Sequence, residues 1–156
     1  MLRVRGLSTI GGLMDYSQAY GDALNERMLW LKLDTDFMHD FKVRRFSASS
    51  DWRERYAKIG LYVATITLMA SNDGHIYDLS DDLGWQFLAT DLNIPVEDAE
   101  KFVRAALEVG LFDRELYAES CKLASLRLLK EAEETAKSKA AARSRTEAAR
   151  ASKASK

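Results

Sequence analysis

The sequence predicts a mainly α-helical domain with a small β wing, followed by a long C-terminal helix or tail. Three observations predict it. Apolar residues recur at helical spacing over long stretches, Pro95 is the single proline, and a tight turn beside Pro95 separates two short helical segments. With 156 residues the chain can bury one hydrophobic core, so one domain with short extensions is expected.

The first predicted elements lead into a long helix. Residues 30–33 alternate loosely and predict a short strand, and Asp40 is placed to cap a brief helix from Phe41 to Phe46. A long amphipathic helix follows, because apolar residues recur at steps of four and three. Its predicted core-facing residues are Trp52, Tyr56, Ile59, Val63, Ile66 and Ala70. Gly74 suits the left-handed turn that ends this helix.

Two short helices joined by a tight turn come next. Residues 75–77 are strand-like, and Ser80 is the expected hydroxyl cap of the first helix, followed by two acids at its positive end. The predicted buried residues are Leu83, Phe87, Leu88 and Leu92 in the first helix, and Ala99, Phe102, Val103, Ala106 and Leu107 in the second. A miniature hairpin around residues 113–115 is the predicted wing. This order of elements predicts a winged helix-turn-helix.

A last helix is predicted from Glu119. No Leu, Ile, Val, Phe or Met follows Leu129, so packing against the core is predicted to end there. The chain is therefore predicted to consist of a weakly patterned leader over 1–27, a winged-helix domain over 28–130 and a basic Ala-rich tail over 131–156. Whether the leader is ordered or disordered stays open. Three biological start codons stay open: Met1, Met14 and Met28.

The net charge of −1 conceals two oppositely charged regions. Residues 61–116 carry eleven acids and three bases, whereas residues 137–156 carry seven bases and one acid. The single cysteine excludes an internal disulfide and fits a reducing compartment. The longest apolar run, residues 59–70, is too short to cross a bilayer. We expect a cytoplasmic protein with no membrane partner.

The sequence offers little chemistry for catalysis. Four neighbouring residues suggest a metal site, namely Asp34, Asp36, His39 and Asp40, but no second group of ligands completes a shell, and capping or turn roles explain them. His75 has no catalytic partner and Cys121 no activating neighbour at a special spacing. A phosphate loop, dinucleotide-binding glycines and a nucleophile elbow are missing. We therefore predict no enzyme, no cofactor and no metal.

Short segments spread over residues 28–130 carry a family resemblance. They are Trp30 to Asp40 with Lys42-Val43, Gly60 to Tyr62, Asn72 to Ile76, Asp81 to Leu83, Phe87 to Ala89, Leu92, and Val109 to Phe112. Their order and spacing resemble the winged-helix N-terminal domain of phage replisome organisers and related DnaD-like replication initiation proteins. The resemblance implies a cytoplasmic role in phage or plasmid DNA replication, in which the protein binds an origin and recruits helicase-loading proteins.

Two hypotheses for function stay open. In the first, the chain binds DNA through the winged helix, the tail, or both, with contacts from Lys42, Arg44, Arg45, Lys101, Arg104, Arg114, Lys137, Lys139, Arg143 and Arg145. In the second, a mobile-element protein inhibits a host nucleic-acid complex, such as a CRISPR effector, through its acidic body.

The second hypothesis starts from the net charge of −8 over residues 61–116, which could mimic phosphates and occupy a basic nucleic-acid channel. The second helix of the helix-turn-helix is also expected to be a poor groove reader, because it carries four of these acids. They are Glu97, Asp98, Glu100 and Glu108. The expected partners are thus DNA, a replisome protein or a host effector, and the oligomeric state stays open. Trp52, Tyr56 and Trp85 are interpreted as packing residues and not as platforms for base stacking.

Overall fold

The computed structural model describes residues 9–10, 13–14, 33 and 35–154. Within these residues the chain is mainly helical, with small antiparallel strand pairs and a long C-terminal helix, as the sequence predicts. The α-helices are α1 Phe41–Phe46, α2 Trp52–Ser71, α3 Asp82–Leu92, α4 Val96–Glu108, α5 Arg114–Ser120 and α6 Leu126–Ala154. The strands are β1 Thr9–Ile10, β2 Leu13–Met14, β3 Ile76–Asp78 and β4 Lys122–Ala124. Residues 30–32 of the strand predicted at 30–33 lie outside the described residues. Of the leader predicted over 1–27, the structure describes only β1 and β2.

Helix α1 has the bounds that the sequence predicts. The Asp40 carboxylate caps it, accepting hydrogen bonds from the backbone N–H groups of Lys42 at 2.8 Å and Val43 at 3.1 Å. These bonds satisfy two amides that have no partner within the helix. The Asp40 carboxylate therefore has the capping role that the sequence predicts.

Helix α2 packs on the core along most of its length, but not at its start. Its buried residues are Ile59, Tyr62, Thr65, Ile66, Met69 and Ala70. Trp52 and Tyr56, which the sequence predicts to be buried, are 63% and 59% exposed. The apolar stripe begins seven residues before the helix reaches the core at Ile59, so its first two aromatic residues face solvent.

Helices α3 and α4 form the predicted pair, with two differences in detail. Asp81 caps α3 in place of Ser80, by accepting a hydrogen bond from the Gly84 N–H at 2.8 Å. Leu83 and Phe87 are 52% and 56% exposed, contrary to the prediction. The helix instead turns Gly84 and Leu88 inward, because only a glycine lets α3 lie against the backbone of β3, where a Cβ would overlap a carbonyl oxygen.

The predicted hairpin at residues 113–115 is a helix in the structure. The Asp113 carboxylate accepts a hydrogen bond from the Leu116 N–H at 3.0 Å and caps α5. The partner of β3 is β4, in an antiparallel register that pairs Tyr77 with Leu123. The helix predicted from Glu119 starts only at Leu126. The apolar residues around 113–115 are spaced so that they fit either a strand or a helix, and the capping Asp113 favours the helix.

Aromatic rings join α1, α2 and α4 in the core. The Tyr62 ring stacks on Phe37 with centroids 6.1 Å apart and lies 5.8 Å from Phe112. Phe102 of α4 meets Phe46 edge-on at 5.8 Å and Phe112 at 6.4 Å. The predicted buried face of α4 is confirmed at Ala99, Phe102, Val103 and Ala106. This cluster holds the outer face of α4 in a defined orientation.

Helix α6 packs further along the chain than the sequence predicts. Ala132, three residues beyond the predicted limit at Leu129, is only 2% exposed, and Ala136 packs against the core. An alanine methyl group needs little room, so the helix can lie close to the core without large side chains. From residue 140 to residue 153 every described side chain is exposed. No helix in the described part of the chain combines the length and apolar character that a membrane crossing needs.

Candidate nucleic-acid interface

The outer face of α4 is exposed and acidic. The six charged residues predicted to point outward are all exposed: Glu97, Asp98, Glu100, Lys101, Arg104 and Glu108. Lys101 Nζ lies 3.0 Å from Asp98 Oδ1, so part of its charge is balanced within the helix. With four acids against two bases, this face repels a phosphate backbone more than it attracts one.

Two other predicted DNA-contacting bases meet at the C-terminal end of α4. Lys42 Nζ donates a hydrogen bond to the Gly110 carbonyl oxygen at 2.9 Å. Arg114 donates through Nε to the Leu107 carbonyl at 2.7 Å and through Nη2 to the Glu108 carbonyl. Cations are favourable here because the last carbonyl groups of a helix lack partners and carry partial negative charge. Lys42 and Arg114 therefore hold the end of α4, a role that sequence reasoning missed.

A groove of about 310 Å³ runs beside α4. It is lined by Trp85, Glu100, Val103, Arg104, Leu107 and Tyr117. Burial raises the pKa of Tyr117, the neighbouring Cys121 and Glu100 raise it further, and the Arg104 guanidinium opposes this rise. Arg104 thus lines the same groove as a carboxylate and a tyrosine.

Helix α1 presents Arg44 and Arg45 to solvent. Val43 and Phe46 point into the core, which turns the opposite face of α1 outward. Phe41, at the start of the same helix, is exposed as well. Residues three and four apart share a helix face, so Phe41 and the two arginines form one exposed surface.

The largest exposed group of bases lies on α6. Lys137 pairs with Glu133 at 2.6 Å, four residues earlier on the helix. Arg143 and Arg145 are exposed and Lys139 is partly exposed. Residues 137–156 carry seven bases and one acid, a net charge of +6.

Four of these bases follow one line along α6, which we call the basic stripe: Lys139, Arg143, Arg150 and Lys153. Their spacing of four, seven and three residues keeps them on one face of an α-helix. Leu128 and Ala132 precede Lys139 by eleven and seven residues, so the stripe continues the face that packs on the core. At about 1.5 Å per residue, the stripe is roughly 21 Å long.

Within the residues that the structure describes, no group of three or more His, Cys, Asp or Glu side chains is arranged to hold a metal ion. Asp40 is occupied as the α1 cap. Asp34 lies outside the described residues.

The family is decided by a match over residues 30–128 to the model described as "Lin1244/Lin1753-like, N-terminal". The chain belongs to this family. No curated protein and no solved structure matches the chain significantly.

The Lin1244/Lin1753-like region coincides with the folded body. It contains α1 to α5 and ends at residue 128, within the first turn of α6. The acidic face of α4 therefore lies inside the Lin1244/Lin1753-like region, whereas the basic stripe lies beyond it. The two oppositely charged surfaces belong to different parts of the chain.

Proposed function

We propose that the chain is a cytoplasmic nucleic-acid-binding module of a phage or plasmid replication protein, of the winged-helix type found in replisome organisers and DnaD-like initiators. In this proposal it is not an enzyme. The basic half of α6 makes the principal contact with duplex DNA, and the helix-turn-helix does not read the major groove. The observation that carries the proposal is the basic stripe along α6, which is exposed from Arg143 onward, in a chain whose α4 face carries the opposite charge.

The order of elements supports the winged-helix part of the proposal. Helix α2 leads into β3, and β3 is followed by α3, a tight turn and α4. Asn93, in the left-handed conformation, and Pro95 make that turn. In this fold α4 would be the reading helix and α5 replaces the first half of the wing. The acids on α4 then explain why DNA contact would move to another helix.

The basic stripe has the features that non-specific duplex binding needs. Affinity for DNA arises mainly from cations that neutralise phosphates and release counterions. The stripe supplies four cations on a helix that extends past the body, so a duplex could lie along it without approaching α4. Acids are concentrated in the first turns of α6, at Glu131, Glu133 and Glu134.

The test is the affinity of the full chain for a labelled DNA duplex. The variant carries four glutamines in the basic stripe: Lys139→Gln, Arg143→Gln, Arg150→Gln and Lys153→Gln. Glutamine keeps helix propensity close to that of Lys and Arg, so loss of binding reports charge. The matched control is Lys101→Gln with Arg104→Gln on α4, which should leave the affinity nearly unchanged. If the control weakens binding as much as the stripe variant, the duplex lies on α4 and the proposal is wrong.

A second candidate function follows from the acidic face itself. Glu97, Glu100 and Glu108 are exposed on a rigidly packed helix, and the exposed Leu83 and Phe87 lie on the preceding helix. Acidic and apolar groups together suit a basic protein surface, such as the nucleic-acid channel of a replisome protein or a host defence effector. We propose binding to such a partner as the alternative.

Two pairs of substitutions on α4 separate the two candidates. Glu97→Gln with Glu100→Gln should weaken capture of a basic protein and leave or improve DNA binding, because repulsion of phosphates is relieved. Lys101→Glu with Arg104→Glu should have the opposite effect on duplex DNA if α4 contacts it. Unchanged affinities for both pairs, towards DNA and towards the protein partner, would exclude α4 as an interface.

A further inference from the structure

Trp52 and Tyr56 form an exposed aromatic pair at the start of α2. They are 63% and 59% exposed, while the remaining turns of the same helix bury their apolar residues from Ile59 onward. Four residues apart, the two rings share one face of the helix. Their centroids are 6.4 Å apart with the planes at 68°, so the rings support each other edge to face. The core does not need either ring.

A guanidinium group extends this aromatic surface. Arg53 Cζ lies 5.1 Å from the centroid of the Trp52 ring, a cation–π contact that orients the arginine beside the indole. A guanidinium plane, like an aromatic ring, can stack on a nucleobase. We call Trp52, Arg53 and Tyr56 the aromatic platform.

The charge around the platform is positive. Residues 41–58 contain six bases and two acids, a net charge of +4, in contrast to the −8 of residues 61–116. Both acids are engaged locally. Asp51 caps α2 through the Arg53 N–H at 2.9 Å, and Glu54 accepts a hydrogen bond from Ser49 Oγ at 2.6 Å and pairs with Lys58 at 2.9 Å. The hydrogen bond from Ser49 is the main cause that lowers the pKa of Glu54, and Lys58 lowers it further.

We propose that the aromatic platform binds unpaired nucleobases of single-stranded nucleic acid. Exposed rings interleaved with arginines are the arrangement with which sequence-tolerant single-strand binders hold bases by stacking and the backbone by charge. Arg53 and Arg55 on α2, with Arg44 and Arg45 on the preceding helix, supply the cations that attract the phosphates. A base in a duplex cannot reach such a platform, so this site is distinct from the duplex contact proposed for α6.

The test compares two double variants of the full chain in binding to labelled oligo(dT). Trp52→Ala with Tyr56→Ala removes the platform. Leu83→Ala with Phe87→Ala is the matched control, because it removes another exposed apolar pair at the same spacing on a helix. Stacking predicts a loss of affinity of roughly 5- to 150-fold for each base that stacks in the platform variant. The control should bind like the unchanged chain, and equal affinities for all three would overturn the proposal.

Two further probes separate stacking from charge and from partial unfolding. A base-free oligo(deoxyribose phosphate) should bind the unchanged chain and the platform variant equally, since no base is left to stack. A Trp52→Phe variant should keep most of the affinity for oligo(dT) but lose most of the fluorescence quenching, because Trp30 and Trp85 remain as the emitters. Undiminished quenching in Trp52→Phe would place the base elsewhere. Affinities for oligo(dT) and oligo(rU) then distinguish DNA from RNA as the source of the strand.

Discussion

Replacing Phe102 by alanine tests the packing that orients α4. Phe102 is 6% exposed and contacts the rings of Phe46 and Phe112 edge-on at 5.8 and 6.4 Å. Truncating a buried phenylalanine removes its transfer free energy and leaves a cavity, which together cost about 3–5 kcal/mol. Because Phe102 joins α4 to α1, we expect a value in the upper half of that range. Such a loss is a large share of the about 5–15 kcal/mol that stabilises a typical domain.

Phe87→Ala is the matched control, since Phe87 is also a helical phenylalanine but is 56% exposed. We expect it to change the free energy of unfolding by less than about 1 kcal/mol. Urea denaturation followed by circular dichroism measures both variants, with the slope of the transition checked for two-state behaviour. A loss below about 1 kcal/mol for Phe102→Ala, or equal losses for the two variants, would refute this arrangement of the core.

Three smaller predictions test other parts of the fold. Gly84→Ala should destabilise the protein by about 1–3 kcal/mol, because the added Cβ overlaps a β3 carbonyl oxygen. Gly60→Ala should instead stabilise it by about 0.5–1 kcal/mol, because no atom lies within 4 Å of the added Cβ. Denaturant melts measure the free energy of unfolding of both variants. Deleting residues 140–156 should leave the melting temperature unchanged, whereas deleting residues 131–156 should lower it, because that deletion removes a buried alanine. Burial and the hydrogen bond to the Asp91 carboxylate raise the pKa of Tyr77 to about 12. Its contribution to stability should therefore persist below pH 10 and fall as the pH rises towards 12. Thermal melts at alkaline pH should show this fall for the unchanged chain but not for Tyr77→Phe.

The sequence predicts well what depends on local signals. The Asp40 cap and the bounds of α1, the turn at Gly74 and the buried stripe around Phe102 all follow from residues close together in the chain. Each signal has one physical reading: a carboxylate beside free amides, a glycine at positive φ, apolar residues at helical spacing. These features place α4 and identify its exposed charges.

The sequence predicts poorly what depends on where distant elements meet. Periodicity shows that Trp52 and Ile59 share a stripe, but not that the core begins only at Ile59. The partner of β3 lies more than forty residues later in β4, so the hairpin that the sequence predicts around residue 114 is wrong. Trp52 and Tyr56 are predicted to lie in the core for the same reason, although the arginine-rich sequence around the two rings is a usable signal for their exposure.

The salt dependence of duplex DNA binding tests the central claim most directly. Each phosphate contact contributes about 0.9 to the slope of log K against log salt concentration. If the basic stripe contacts DNA through all four of its cations, its four-glutamine variant should show a slope shallower than that of the unchanged chain by about 3.6. Equal slopes for the two proteins, with duplex binding retained, would contradict the assignment of the DNA contact to α6.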